Sequence, residues 1–339
     1  MFQTELNIWL QSIGSDLFTF LLKLLSDFGK GDITVLILII VIFGIHTRKG
    51  IMLSWIVIIN AVFTDFFKNF FSLPRPSNVD STVLLPGEKT ANPTQFKQMG
   101  AKSFLGSLPD DVVNHFRKSP IDSWGFPSGH TSNATVLWGT IMLLFKPKWI
   151  RYIAIPIILL MPVSRMYLGR HFLADILGGL CLGLVFTYIY YQLVLKNERL
   201  QSFLFDNSIS FQWNSNMFQL IIALFIIPIT LYFLPHTEPR FISVLLGINL
   251  VYFLYRFFLR GIPIESGHFL SRLARVFITF FLFFLIRITI NALFTFLSLN
   301  DSIVFESLMH FLSTALSMTL SIEINFMLRL FQFTPQVEN

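Results

Sequence analysis

Three polar clusters interrupt an otherwise apolar sequence, and their side chains are of the types that bind phosphate and move protons. The clusters read K-x6-R-P, P-S-G-H and S-R-x5-H-x3-D, and their members are Lys68, Arg75, Pro76, Pro127, Ser128, Gly129, His130, Ser164, Arg165, His171 and Asp175. A phosphate monoester carries nearly two negative charges at neutral pH. Phosphoryl transfer is catalysed mostly by positioning and by stabilising charge on the phosphate oxygens. Three cations and two imidazoles suit that chemistry.

The cations and the P-S-G-H cluster offer complementary ways to hold an anion. Arginine presents a planar fork that can hold two oxygens at once, and Lys68 adds a point charge. If a helix begins near Ser128, its first backbone N–H groups form a natural anion site. Gly129 would let that backbone approach a phosphate closely, and the Ser128 hydroxyl adds a further donor.

His171 and Asp175 are four residues apart, so on a helix they share one face. The carboxylate can then accept a hydrogen bond from one ring nitrogen and leave the other free for attack. Taken alone, this pair is equally compatible with a structural hydrogen bond. Lys68 and Arg75 are compatible with interfacial cations, and Ser128 with a simple helix cap. The presence of all three clusters, in order, favours the chemical interpretation.

The elements that must position these residues are membrane helices. Of the 339 residues, 54% are hydrophobic and only 13% are charged, whereas soluble domains have about 25% charged residues. This composition excludes a disordered chain, and the single cysteine, Cys181, excludes an internal disulfide. A net charge of +6 would indicate nucleic acid in a soluble protein, but membrane proteins carry basic cytoplasmic loops. We therefore expect a bilayer, and no nucleic acid, as the partner.

Nine or ten apolar segments predict an all-α, polytopic membrane helix bundle, the first being able to span the bilayer or to lie in its interface. They cover residues 5–26, 32–46, 50–71, 130–145, 149–164, 172–195, 217–235, 241–258, 276–298 and 303–331. Six of them would form a core domain, residues 1–200, with a polar loop at 72–126. About four further helices, residues 201–339, would form a second part of unknown role. There we expect Arg287 and Glu323 to form a structural pair, since isolated charges in a membrane are costly; a transport or regulatory role is the alternative.

The distribution of Lys and Arg predicts the orientation in the membrane. If every segment from residue 32 onward crosses once, the basic residues near positions 48, 148 and 198 share one side, which is then cytoplasmic. The 72–126 loop and the turn at 164–171 lie on the opposite side, so all three clusters face outward. In the sixth segment, Gly179 and Gly183 are spaced for close packing against a neighbouring helix.

The motif set resembles that of the type 2 phosphatidic acid phosphatase (PAP2) and vanadium haloperoxidase superfamily, in its membrane lipid phosphate phosphatase branch. The resemblance covers about residues 1–195. It implies that His171 attacks phosphorus and forms a phosphohistidine, while His130 protonates the leaving alkoxide and later activates water, and Asp175 orients His171. The residues implied to bind the substrate phosphate are Lys68, Arg75, Ser128, Gly129 and Arg165.

The sequence therefore predicts a metal-independent phosphatase of membrane lipids. The acidic residues near the clusters, Asp65, Asp122 and Asp175, are few and scattered, so neither a metal nor another cofactor is expected. A site at the membrane surface meets lipid headgroups, which favours phosphatidate, phosphatidylglycerol phosphate, sphingoid-base phosphate, polyprenyl diphosphate or lipid A phosphate as substrate. Two alternatives stay open: a lipid phosphotransferase with the same intermediate, and a non-enzymatic lipid-binding or transport protein. No oligomeric state is predicted.

Overall fold

The named elements of the described part of the chain are all helices. This computed structural model describes residues 1–88, 91–119, 121, 123–264, 267–299 and 302–333, so Asp122 lies outside it. Among these residues there is no β-strand, and an isolated bridge pairs Ile264 with Gln332. The predicted all-α class is confirmed.

The helices are numbered in chain order. They are α1 (Glu5–Ser12), α2 (Asp16–Asp27), α3 (Gly31–Ile39), α4 (Thr47–Phe71), α5 (Pro76–Val79), α6 (Asp110–Lys118), α7 (Gly129–Leu144), α8 (Lys148–Tyr167), α9 (Leu173–Tyr190), α10 (Glu198–Phe205), α11 (Ser215–Ile221), α12 (Ile227–Tyr232), α13 (Pro239–Phe257), α14 (Phe269–Phe296) and α15 (Ile303–Met327). Short π-helical turns extend α3, α9 and α11. The π-helical turn after α11 joins it to α12, so the two form one continuous helical stretch.

Among the described residues, seven helical stretches are long and apolar enough to cross a bilayer. They are Thr47–Val79, Lys148–Tyr167, Leu173–Leu195, Ser215–Tyr232, Pro239–Phe257, Phe269–Phe296 and Ile303–Met327. The pair Asp16–Asp27 and Gly31–Ile45, bent by 57°, is an eighth candidate. Helix α7 has 16 residues, fewer than the roughly 20 that span a hydrocarbon core. The chain is an integral multi-pass membrane protein with fewer candidate spans than the nine or ten predicted.

The described helices form two compact units. Unit 1 comprises residues 1–34 and 63–189, and unit 2 comprises residues 35–62 together with the chain from Tyr190 onward. All the predicted site residues belong to unit 1. The predicted domain division at residue 200 stays a prediction; in the structure, residues 35–62 are grouped with the helices that follow residue 190.

Close packing of α7 against α9 fixes the geometry of unit 1. A Cβ atom at Gly179 would lie 2.6 Å from the Ser128 carbonyl oxygen, and one at Gly183 would lie 2.7 Å from Cβ of Thr135. Neither distance is possible between real atoms, so only glycine permits this approach. The close packing predicted from the Gly179–Gly183 spacing is therefore present, and it brings the start of α9 to the start of α7.

The loop between α4 and α7 has its own small core beside the site. Helix α6 contributes Val112, Val113 and Phe116 to a buried cluster that also contains Phe172, the residue after His171. Next to it, Thr4 and Thr82 donate hydrogen bonds of 2.7 Å to the Asp80 carboxylate. Burial raises the pKa of Asp80, but these hydrogen bonds outweigh it and leave the pKa below its ordinary value. The loop thus supports His171 from outside the helix bundle.

Unit 2 buries arginine side chains against backbone carbonyl groups. Arg256 is 1% exposed and donates to the carbonyl oxygens of Phe203, Leu204 and Ile209 at 3.2, 3.0 and 2.9 Å. Arg275 is completely buried and also donates to backbone carbonyl oxygens. Both guanidinium groups therefore hold helices and connecting segments together.

The predicted pairing of Arg287 with Glu323 is wrong. Glu323 instead accepts hydrogen bonds from Tyr255 at 2.6 Å and from Arg260 at 2.7 Å. Arg287 is exposed on α14 and acts electrostatically on His310, near the opposite end of α15 from Glu323. The reason is the height of each residue along its helix, because Arg287 and Glu323 lie at different levels of the bundle.

Candidate active site

The turn between α8 and α9 places a buried histidine against a buried carboxylate. His171 is 1% exposed, and its Nδ1 lies 3.2 Å from Oδ2 of Asp175, which is completely buried. The same oxygen accepts a hydrogen bond of 2.9 Å from the backbone N–H of Phe172. A carboxylate in the first turn of a helix is favourable because it pairs with unsatisfied N–H groups. The predicted contact is thus present, although α9 begins at Leu173 and not at about His171.

This arrangement assigns the two nitrogens of His171 different tasks. Oδ2 of Asp175 already accepts from the Phe172 N–H, so we assign the hydrogen between the two side chains to Nδ1 of His171. Nε2 then keeps its lone pair. Burial lowers the pKa of His171 well below its ordinary value, and the charges of Arg165, Arg75 and Lys68 lower it further. The ring is therefore neutral at pH 7, as a nucleophile requires.

Three cations predicted from separate parts of the chain act on the same imidazole. Arg165 is 8% exposed; its Nη1 donates to Oγ of Ser26 at 2.7 Å, while its Nε has no hydrogen-bond partner among the described residues. Lys68 donates to Oγ of Ser123 at 3.1 Å. Together with Arg75, these cations contribute to the electrostatic environment of both His171 and His130. The structure thus brings together the predicted cations and both histidines.

The P-S-G-H cluster forms the start of α7. Ser128 is the residue before the helix, but its hydroxyl accepts from Thr131 at 3.0 Å and makes no capping bond. Its backbone N–H donates to the Asp175 carbonyl oxygen at 2.9 Å, which joins the second and third clusters. A Cβ atom at Gly129 would lie 3.6 Å from Nζ of Lys68. The N-terminus of α7 therefore opens beside a cation, as an anion site would.

Sequence reasoning missed three residues near the N-terminus that touch this site. Ser26 accepts from Arg165, and Asn7 donates to the His171 carbonyl oxygen at 3.0 Å. At Gly29, a Cβ atom would lie 2.7 Å from Cδ2 of His130. A neutral amide, a hydroxyl and a glycine in apolar segments match no motif, so only the structure identifies them.

The donor set does not resemble that of a metal centre. In the described part of the chain, no three His, Cys, Asp or Glu side chains come together as a metal ion would need. The polar groups around His171 are mainly cationic. Cations bind phosphate oxygens and repel metal ions.

Comparisons with known proteins find similarity over the region that contains this site. The family model of the PAP2 superfamily matches residues 49–199. Phosphatidylglycerophosphatase B of Bacillus subtilis is 40% identical over 76 residues, which are 20% of this chain and 37% of that protein. Lipid A 4'-phosphatase of Porphyromonas gingivalis is 26% identical over 146 residues, 43% of this chain and 50% of that protein. The chain thus spans half or less of the length of these curated relatives.

Two solved structures are also similar. The crystal structure of Aquifex aeolicus LpxE has a TM-score of 0.40 at 21% identity, covering 57% of this chain and 96% of that one. The transmembrane PAP2-type phosphatidylglycerolphosphate phosphatase of Bacillus subtilis has a TM-score of 0.41 at 18% identity, covering 58% and 86%. The family match at residues 49–199 contains all eight predicted site residues. Over this region, the chain is similar to the PAP2 superfamily.

Proposed function

We propose that this protein is an integral membrane phosphatase that hydrolyses a lipid phosphate or diphosphate through a phosphohistidine intermediate. The observation that carries the proposal is the convergence of three cations on a neutral, carboxylate-bound imidazole. Such a site holds a dianionic phosphate and presents a nucleophile to its phosphorus at the same time. The match to the PAP2 superfamily supports the same chemistry.

In the first step, Nε2 of His171 attacks phosphorus and the P–O bond to the lipid breaks. Asp175 holds the hydrogen of Nδ1 and stabilises the positive charge that develops on the ring. Lys68, Arg75 and Arg165 stabilise the equatorial phosphate oxygens. The bound phosphate dianion offsets the nearby cations and lets His130 take up a proton together with the substrate. His130 then gives that proton to the leaving alkoxide, so the lipid departs as an alcohol.

In the second step, water replaces the lipid alcohol. His130, now neutral, takes a proton from that water as it attacks phosphorus. The N–P bond breaks, inorganic phosphate leaves, and His171 returns to its starting form. One imidazole therefore serves as acid and then as base, and the other serves only as nucleophile.

A lipid is the proposed substrate because the site belongs to a multi-pass membrane protein. The alkyl chains of a lipid would stay in the bilayer while its phosphate enters the cation cluster. Among the candidates, phosphatidylglycerol phosphate and lipid A phosphate are favoured by the names of the two curated relatives. We place the site on the extracytoplasmic face, since the basic loops predicted to be cytoplasmic lie at the other ends of the helices.

The direct test is phosphate release by purified protein in detergent from a panel of lipid phosphates. The panel contains phosphatidate, phosphatidylglycerol phosphate, sphingoid-base phosphate, polyprenyl diphosphate and lipid A phosphate. The substitution His171→Ala is expected to abolish release. His115→Ala is the matched control, because His115 is exposed and contacts the rings of Phe96 and Phe116. Turnover by the His171→Ala protein would exclude the mechanism.

Labelled phosphate separates hydrolysis from transfer and detects the intermediate. With a ³²P-labelled lipid, rapid quenching in alkali is expected to trap label on the wild-type protein and none on His171→Ala. Label that ends in a second lipid, and not in free phosphate, would make the protein a phosphotransferase. Full turnover in excess EDTA is expected, and its loss would contradict metal independence.

A further inference from the structure

The N-terminal helices α1 and α2 lie before the region that matches the PAP2 superfamily, yet they contact the catalytic turn directly. Asn7 is completely buried. Its Nδ2 donates to the carbonyl oxygens of Met166 at 2.8 Å and of His171 at 3.0 Å. These two carbonyl groups belong to the end of α8 and to the turn after it. One amide therefore fixes the spacing between the helix that carries Arg165 and the backbone of His171.

The side-chain amide suits this position because both partners are acceptors. A primary amide has two N–H donors on one nitrogen, so a single Asn can bind two carbonyl oxygens. An aspartate at position 7 would place a carboxylate against the same two oxygens and repel them. The turn also needs Gly169, whose φ of +68° is left-handed and whose Cβ would lie 2.5 Å from the Leu84 carbonyl oxygen. The backbone around His171 is thus held from two sides.

Ser26 holds the side chain of Arg165. Its hydroxyl oxygen accepts from Nη1 at 2.7 Å, and Ser26 itself is 4% exposed. Nearby, Ser164 donates to the Leu22 carbonyl oxygen at 2.7 Å, so the end of α2 is fastened to the end of α8. A neutral hydroxyl orients the guanidinium without neutralising it. The full positive charge, with an Nε that has no partner among the described residues, remains available to an anion.

We propose that Asn7 and Ser26 are positioning residues for phosphoryl transfer, with Asn7 fixing the backbone of His171 and Ser26 aiming Arg165 at the phosphate. The proposal rests on the proposed function for its rate measurements. Its phosphate-binding measurements do not depend on turnover. Gly29, which follows α2, gives a third contact with the site. Because it has no side chain, its backbone can pack directly against the ring of His130. The N-terminal helices are therefore part of the site's framework.

The decisive comparison uses Ser26→Ala, Ser26→Thr and Ser12→Ala. Ser26→Thr keeps the hydroxyl. Ser12 is a matched control because it is exposed on α1 and its hydroxyl donates to the Trp9 carbonyl oxygen of its own helix. We measure kcat, KM, the affinity for inorganic phosphate by calorimetry, and the unfolding temperature. Ser26→Ala is expected to weaken phosphate binding and to lower kcat by about 3- to 10-fold, the worth of one hydrogen bond. Ser26→Thr is expected to recover most of the phosphate affinity and of kcat. Ser12→Ala is expected to leave both at the wild-type level.

Asn7→Asp gives a second, independent measurement. It is expected to lower kcat by more than Ser26→Ala, with a smaller change in KM, because it displaces the nucleophile and leaves the cations in place. If Asn7→Asp does not fold, the Ser26 series still decides, since Ser26→Thr and Ser26→Ala differ only in the hydroxyl and one methyl group.

The outcomes separate the two proposals. If the wild type releases phosphate and Ser26→Ala behaves like Ser12→Ala in both rate and phosphate affinity, the positioning role is excluded and the phosphatase stands. If no lipid in the panel is hydrolysed but Ser26→Ala weakens phosphate binding and Ser26→Thr restores it, the phosphatase fails, and the part of the proposal that stands is that Ser26 aims Arg165 at a bound phosphate. If the wild type neither hydrolyses lipids nor binds phosphate, both fail.

Discussion

The two units bury arginine in opposite ways. In unit 2, all three nitrogens of the Arg256 guanidinium donate to backbone carbonyl groups. In unit 1, Arg165 donates from Nη1 to a single hydroxyl, and its Nε has no partner among the described residues. Leaving a buried donor unsatisfied costs about 1–3 kcal/mol. We therefore interpret the arginine with an unsatisfied donor as part of a candidate ligand site. The arginine whose donors are all used is interpreted as a structural contact between segments.

Buried and half-buried carboxylates show the same contrast. Both oxygens of Glu323 in unit 2 accept hydrogen bonds, from Tyr255 and from Arg260. In unit 1, Oδ2 of Asp175 faces His171, while its Oδ1 has no partner among the described residues. Of these four charged groups, Arg165 and Asp175, which lie beside His171, have unused hydrogen-bonding capacity, whereas Arg256 and Glu323 do not. A charged residue within a membrane protein therefore does not by itself indicate a functional site. The number of its donors or acceptors that already have partners is more informative about its role.

The largest effect that tests this contrast is expected from Arg165→Ala. It should lower kcat by about 10²–10³-fold, as removal of one preorganised donor to a transition state does. It should not lower the unfolding temperature, because the variant removes a buried cation that lies near Lys68 and Arg75. Steady-state rates on a lipid phosphate and thermal unfolding in the same detergent measure both. A variant that keeps wild-type turnover would place Arg165 outside the reaction.

Arg256→Ala should give the reverse pattern. The substitution leaves three backbone carbonyl groups without their donor, and each unsatisfied buried group costs about 1–3 kcal/mol. We expect a clearly lower unfolding temperature and unchanged turnover per folded molecule. Arg256→Lys should recover part of the stability, since an ammonium group supplies donors but not the planar fork. If Arg256→Ala slows turnover per folded molecule as much as Arg165→Ala does, the contrast between the units is wrong.

Sequence spacing predicted those features of unit 1 that depend on local geometry. The four-residue separation predicted the contact of His171 with Asp175, and the Gly179–Gly183 step predicted close helix packing. The second follows from the period of a helix, which is the same in any fold. The first also depends on the turn before α9, because His171 lies two residues before that helix begins. The helical class and the membrane location follow from composition and apolar runs, which also need no tertiary information.

Features that depend on how distant helices align could not be predicted in this way. Glu323 contacts Arg260 and not Arg287 because of its position along α15. The spacing of residues within one helix does not predict which residue of another helix lies at the same level. Asn7 and Ser26 were missed for a related reason. Their chemistry is ordinary, and only the docking of α1 and α2 against α8 gives them a role.

The pH dependence of Arg165→Ala sharpens the account of His171. Burial lowers the pKa of this imidazole first, and the charge of Arg165 is the next cause. Removing that positive charge favours the protonated ring, so the pKa rises toward its ordinary value. The acid limb of kcat/KM, where the nucleophile becomes protonated, should therefore lie at higher pH in the variant than in the wild type. Ionisation of the substrate is the same for both proteins, so it cancels in the comparison; an unshifted limb would show that His171 does not control it.

The smallest effect is expected from Glu323→Gln. The amide oxygen of Gln can still accept from Tyr255, and only the ion pair with Arg260 is lost. That pair is partly exposed, with 46% and 31% of the two side chains accessible, and such pairs contribute about 1 kcal/mol or less. Turnover should be unchanged and the unfolding temperature only slightly lower, whereas Tyr255→Phe, which leaves one carboxylate oxygen without its donor, should cost more. A large loss of activity in Glu323→Gln would mean that a charged group of unit 2 takes part in catalysis, and the division of labour between the units would have to be abandoned.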